Sequence, residues 1–251
     1  MSGKKCLRSF VVLVRIGAYD YQFAFVNIKN VWCFMKKLVV VILILGAVYY
    51  FKPGWFSFGA NNGAFDAEGN PETLVFTIKN CGGWCEKGLA ELGRRKVPFR
   101  ELKLDDNEEN QQLYSKLGRG GLPYFVVGQY KLSGYLHAAV ASTLAQAYGD
   151  KYLSRLERKY FARHFNDDNS PKVYMYGASW CPYCKAMRKE LENRGVDYAE
   201  IDVEKAYDQD TLVKTMDIGG YPVIYVGYVR INPPKIGNVM SAINEAGYRK
   251  M

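Results

Sequence analysis

Val173-Tyr-Met-Tyr-Gly-Ala-Ser-Trp-Cys-Pro-Tyr-Cys184 is the stretch on which the reading of this chain turns. The apolar run Val173 to Tyr176 predicts a strand, and two cysteines separated by two residues follow it. Lys185-Ala-Met-Arg-Lys-Glu-Leu-Glu-Asn-Arg-Gly195 then places Ala186, Met187, Glu190 and Leu191 at helical spacings before a terminating glycine. Pro182 suits the first turn of that helix, because the N–H it lacks has no intrahelical partner there. The first sulfur therefore sits against a helix N-terminus, where unpaired N–H groups and the positive dipole end favour a thiolate. Cys181 is the candidate nucleophile: it attacks a disulfide, forms a mixed disulfide and is released when Cys184 attacks in turn. Half of a zinc site and an inert structural disulfide stand beside this redox reading. Against them, no second pair follows at finger spacing, His137 and His164 show no ligand pattern, and closing so small a loop gains little.

An earlier stretch repeats the order of parts. Thr73 to Ile78 reads as a strand and meets Cys81-Gly-Gly-Trp-Cys85. A helical stretch to about Lys96, a strand near Phe99 to Leu104, a helix near Glu108 to Leu117 and Gly120-Gly-Leu-Pro-Tyr-Phe-Val-Val-Gly128 follow. From Cys85 to Pro123 is 38 residues, as it is from Cys184 to Pro222, and Val97 and Gly128 match Val196 and Gly227 at the same offset of 99. The one slip is the extra residue between Cys81 and Cys85. We read an internal duplication of a unit of about 80 residues. Three intervening residues still permit a disulfide with altered geometry. Cys81 and Cys85, with Pro123, are thus a candidate second redox site, beside the alternatives of a degenerate copy kept for packing or docking and a metal site joining the pairs.

Tyr174-Met-Tyr-Gly-Ala-Ser-Trp-Cys-Pro-Tyr-Cys184 and Gly219-Gly-Tyr-Pro-Val-Ile-Tyr-Val-Gly227 together resemble the glutaredoxins over roughly Pro171 to Lys250. The resemblance implies a cis Pro222 facing Cys181, a Tyr221 backbone that pairs with a substrate strand, and glutathione as a candidate co-substrate with no tightly bound cofactor. Trp180 and Tyr183 would frame the groove. The chain departs from the family at two glutathione-contacting places. Gly177-Ala-Ser-Trp180 lacks the usual lysine, and Ile231-Asn-Pro-Pro-Lys-Ile-Gly-Asn238 replaces the Gly-Gly motif. Lys79 and Ser133-Gly134-Tyr135 of the first copy stand nearer to that pattern.

Composition supports packed cores, with 49% hydrophobic and 15% aromatic residues. The net charge of +9 is concentrated at the start, where residues 1–37 hold seven basic residues against one acidic, and nothing resembles a nucleic-acid module. Leu38 to Phe51 carries no charge and follows Lys36-Lys37. With flanking aromatics the segment 35–56 reads as an uncleaved membrane anchor, a cleaved signal and a buried helix being the alternatives. Met35-Lys-Lys resembles a bacterial export start, which makes 1–34 an extension from a misassigned start. Residues 57–71 read as a tether, and 151–165 as an amphipathic linker helix with a solvated basic face and His164 at its surface.

The expected architecture is α/β: two tandem thioredoxin-fold, glutaredoxin-like domains (72–149 and 171–251) joined by a helical linker (150–170) after an N-terminal transmembrane helix. The expected protein is a single-pass inner-membrane disulfide oxidoreductase with its redox domains on the periplasmic side. Its partners would be protein disulfides, with glutathione or a thioredoxin-like reductant. A docking or assembly protein and a glutathione-assisted iron–sulfur carrier are the alternatives.

Overall fold

The computed structural model describes residues 63–246, so the expected anchor at 35–56 lies outside the described residues. Among those described, no helix is long and apolar enough to cross a membrane. The fold is α/β and thioredoxin-like, with two four-stranded sheets of matching connectivity.

The first sheet holds β1 (Thr73–Thr77), β2 (Arg100–Lys103), β3 (Tyr124–Val127) and β4 (Tyr130–Ser133) in the order β2-β1-β3-β4. β1 runs parallel to β2 across the crossover helix α1 (Gly83–Arg94), and antiparallel to β3. Alternation sends Val75, Phe125 and Val127 to one face, under α1 and α3 (His137–Tyr148). Leu74, Phe76, Tyr124 and Val126 go to the other, under α2 (Glu108–Leu117). Gly88 lets α1 lie close to the sheet, since a Cβ there would come 2.8 Å from the Phe125 ring.

The second sheet repeats the plan with β5 (Val173–Gly177), β6 (Tyr198–Asp202), β7 (Val223–Val226) and β8 (Val229–Ile231) in the order β6-β5-β7-β8. Its helices are α5 (Pro182–Asn193), α6 (Gln209–Thr215) and α7 (Ile236–Glu245), while α4 (Arg155–Phe161) precedes β5. Met187 and Leu191 of α5 and Val239, Ala242 and Ile243 of α7 cover the face carrying Val173, Met175 and Ile224. The opposite face, lined by Tyr174, Tyr176, Val223 and Tyr225, is covered by Leu212 of α6, Tyr160 and Phe161 of α4, and Ala141 and Ala145 of α3. α3 is therefore shared: Val140 and Leu144 point into the first core, Ala141 and Ala145 into the second. Its N-terminus is held by the second half, through Ala138 N–H donating to Asp217 Oδ2 at 2.6 Å, and Ser142 Oγ–H donates to the Tyr228 carbonyl.

Three expectations need correction. The stretch 151–165 is not one helix. Leu153 is extended, and Ser154 restarts the chain as the N-cap of α4 through a reciprocal capping box with Glu157. Its face is not simply solvated, because Glu157, Tyr160 and Phe161 are buried. Glu157 accepts from Arg95, which also bonds Glu91, and His137 donates to both carboxylates at 3.0 Å. His164 is not a surface residue but fully buried, bonded through Nδ1 to the Gly227 carbonyl at 3.0 Å and through Nε2 to Tyr176 Oη at 2.8 Å. Burial pushes its pKa down to about 3, so the ring is neutral.

The described part of the tether, 63–71, is packed as well. Phe65 bridges Pro71, and Ala64 bridges Gly128 with its N–H donating to the Gly128 carbonyl. Phe165 and Pro171 form the same bridge before the second sheet, at an offset of 100, and His164 Nδ1 bonds the Gly227 carbonyl there. A side chain in the second half thus bonds the carbonyl that a backbone amide reaches in the first.

Candidate active site

β5 ends at Gly177, and a short turn brings the chain to Cys181, the N-cap of α5. Cys184 stands three residues on, so its backbone N–H is among those that lack an intrahelical acceptor, and it donates to Cys181 Sγ at 3.1 Å. Both thiols are free and buried, Cys184 completely and Cys181 nearly so. Burial, and then the hydrogen bond with Cys181, push the Cys184 thiol up to about 12. Two sulfurs at one helix start are thereby differentiated, one at the N-cap and one sealed beneath it.

Tyr221 packs against the cluster of Ala178, Cys181 and Cys184, and the Tyr221–Pro222 bond is cis, as the family resemblance implies. Trp180 and Tyr183 are largely exposed. The Trp180 indole N–H donates to Glu204 Oε2 at 2.7 Å, and its ring meets Tyr221 edge-on with centroids 6.2 Å apart. Cys181, Cys184, Trp180 and Tyr221 are thus brought together in one cluster, with Tyr183 beside them on the first turn of α5. Glu204 did not enter the sequence reading, nor did the pair Arg188 and Glu200. Arg188 Nε and Nη2 each donate to one Glu200 oxygen at 2.7 Å, and Nη2 also reaches the Ala178 carbonyl. At the offset of 99 Arg188 stands where Leu89 does in the first half, and that difference was a readable signal.

The extra residue between Cys81 and Cys85 in the first half has a defined structural effect. Gly82, at φ 72°, becomes the N-cap of α1 and leaves Cys81 one position outside the helix. Cys85 keeps the place of Cys184, third in the helix, but its N–H goes to the Gly82 carbonyl instead of a sulfur. Cys81 and Cys85 are joined as a disulfide with Cα atoms 5.7 Å apart. The Leu122–Pro123 bond is cis, and Pro123 lies against α1 near Gly88. Trp84, largely exposed, contacts Tyr135 and carries Lys87 over its ring. Among the described residues, no group of three or more His, Cys, Asp or Glu side chains is placed to hold a metal ion.

Residues 172–231 match the glutaredoxin family model, a segment that begins one residue before β5 and ends with β8. Among solved structures, the chain is similar to the holo form of glutaredoxin C1 from Populus tremula x tremuloides. The identity is 16%, covering 30% of this chain and 84% of that one, with a TM-score of 0.26. A wheat glutaredoxin is similar at 18% identity over 34% of this chain and 81% of its own, with a TM-score of 0.25. No curated protein matches significantly.

Proposed function

We propose that the protein is a thiol–disulfide oxidoreductase of glutaredoxin type, acting through Cys181 and Cys184 on protein disulfides or glutathione mixed disulfides. The observation that carries this reading is the hydrogen bond from the Cys184 amide to Cys181 Sγ at the start of α5, with the second thiol buried beneath. An amide aimed at a sulfur stabilises its anion, and a thiolate is the attacking species. In the reductive direction Cys181 attacks a substrate disulfide and expels one substrate thiolate. Cys184 then attacks Cys181, closing the protein disulfide and releasing the other. The Tyr221 backbone ahead of cis-Pro222 offers an edge for an extended substrate, and Trp180 and Tyr183 give it apolar contact.

The wider organisation belongs to the same proposal. Two duplicated glutaredoxin-like units stand behind a membrane anchor at 35–56 in a bacterial inner membrane, on the periplasmic side because Lys36-Lys37 precede the apolar run. Glutathione serves as co-substrate and not as a bound cofactor. The Cys81–Cys85 pair, set off the helix N-cap by Gly82, is a second centre of different reactivity.

The test is a redox titration of the full chain in detergent, with alkylation read by mass at each cysteine pair. Reversible exchange of Cys181 and Cys184 near the glutaredoxin range of roughly −200 to −230 mV is expected. A Cys184→Ser variant should trap mixed disulfides at Cys181. A Cys181–Cys184 pair that stays reduced across the titration would overturn the proposal.

A further inference from the structure

A sealed thiol has to lose its proton before it can attack. Cys184 is completely buried; the Cys181 thiol, the Tyr221 phenol, Arg188 and Glu200 lie near its sulfur, and Asp202 and Glu204 stand close to Tyr221. Glu200 is the carboxylate that meets Cys184 across Gly177. A Cβ built on Gly177 would lie 2.6 Å from Glu200 Oε1 and 3.3 Å from Cys184 Sγ, so oxygen and sulfur are no further apart than the sum of these, 5.9 Å. A span bounded at that length is within reach of a proton relayed through one water.

The other half of the molecule lacks this arrangement at the same register. Glu101 pairs with Val75 across the first sheet as Glu200 pairs with Met175 across the second. There Thr77 stands where Gly177 does, and its hydroxyl donates to Glu101 Oε1 at 2.6 Å; Leu89 stands where Arg188 does. The second half therefore has no side chain at Gly177 to occupy the carboxylate and supplies a guanidinium that binds both of its oxygens.

We propose that Glu200 is the proton acceptor for Cys184 in the resolving step, with Arg188 as its positioning residue and Gly177 keeping the approach open. The proposal rests on the dithiol reading above. Starting from Cys181 in a mixed disulfide, the Cys184 thiol gives its proton to the Glu200 carboxylate. The resulting thiolate attacks Cys181 Sγ, the Cys181–Cys184 bond forms, the bond to the substrate sulfur breaks, and the departing thiolate takes up a proton from Glu200 or water. The proximity of Arg188 also lowers the cost of the Cys184 anion, in opposition to burial.

The test uses the full chain in detergent with Cys6, Cys33, Cys81 and Cys85 changed to Ser, mixed with a chromogenic aromatic disulfide under single-turnover conditions. Attack by Cys181 releases one coloured thiolate, and resolution by Cys184 releases a second. Glu200→Gln is expected to slow the second release about 100-fold at pH 7, the loss shrinking as pH rises and hydroxide replaces the carboxylate, while Glu200→Asp recovers part of it. Gly177→Ala, whose Cβ would displace the carboxylate, should give the same pattern with Glu200 intact. The inference is overturned if both Glu200→Gln and Gly177→Ala resolve at the parent rate across pH 6 to 9, values chosen to bracket neutrality. Absence of a second release from the parent at any pH would instead defeat the dithiol reading itself.

Discussion

Glu157→Gln should be among the most damaging single-atom changes in the described fold. The carboxylate is fully buried and accepts from the two terminal guanidinium nitrogens of Arg95, from His137 Nε2 at 3.0 Å and from the Ser154 N–H at 2.6 Å. Glutamine is the same size, so no cavity forms. It replaces one acceptor by an N–H₂ that must face a donor, whichever way the amide turns, and it leaves the positive charges of Arg95 and protonated His137 to the Glu91 carboxylate alone. Breaking one partner out of a buried ionic network costs about 3–5 kcal/mol. For a protein of this size that is a fall of roughly 6–20 °C in the thermal midpoint. Circular dichroism with temperature, or urea unfolding at pH 7, reads it directly. Lys159→Ala, which removes an exposed ion pair with Asp208, is the control and should move the midpoint little. An unchanged midpoint in Glu157→Gln would refute the claim that this network is buried and charged in solution.

The hydrogen bonds His137 donates to Glu157 and then to Glu91 raise its pKa to about 9, against burial, so its contribution is complete below the free value of about 6.5 and is lost as pH climbs through 9. The wild-type urea midpoint should therefore fall between neutral pH and pH 10, and that slope should flatten in His137→Gln. His164 behaves oppositely. Held near 3 by burial, it cannot take the proton that the unfolded chain takes, so stability drains away as pH falls from about 6.5 towards 3. His164→Phe should lose that acid dependence but cost about 1–3 kcal/mol at pH 7, because Tyr176 Oη and the Gly227 carbonyl lose their partner. Deleting Gly82 should return Cys81 to the α1 N-cap, and alkylation of the reduced Cys81–Cys85 pair should become faster at Cys81; an unchanged rate would show that the cap position is not what separates the two pairs.

What was legible in the chain was whatever depends on local pattern. Strand, Cys-x-x-Cys and helix fall where expected because alternation, a proline at the first helical turn and a terminal glycine are short-range signals. α2 occupies the predicted residues because Asn107 caps it and Gly118 ends it in a left-handed conformation. The break at Leu153 was legible too, since Ser154-Arg-Leu-Glu157 is a capping-box pattern, but the run of apolar positions on either side masked it. The Phe65 to Pro71 and Phe165 to Pro171 bridges share an offset that was also open to view. By contrast, nothing near His164 in sequence announces its burial: Arg163 and Asn166-Asp-Asp flank it, and only the return of β7 brings Gly227 to the ring. The Arg188 and Glu200 pair likewise depends on β6 lying parallel to β5, a contact across the crossover that local pattern does not carry.

α3 has no polar stripe. His137-Ala-Ala-Val-Ala-Ser-Thr-Leu-Ala-Gln-Ala-Tyr148 presents small or apolar residues around most of its circumference, because it answers to two cores at once. The two sheets share this helix as a party wall. Isolating residues 171–251 would strip Ala141, Ala145, Tyr160 and Phe161 from the face of Tyr174, Tyr176 and Tyr225 and leave those rings covered only on the side of Leu212 and Met216. The two halves should accordingly melt as one body, and damage to the first should be felt at the dithiol of the second.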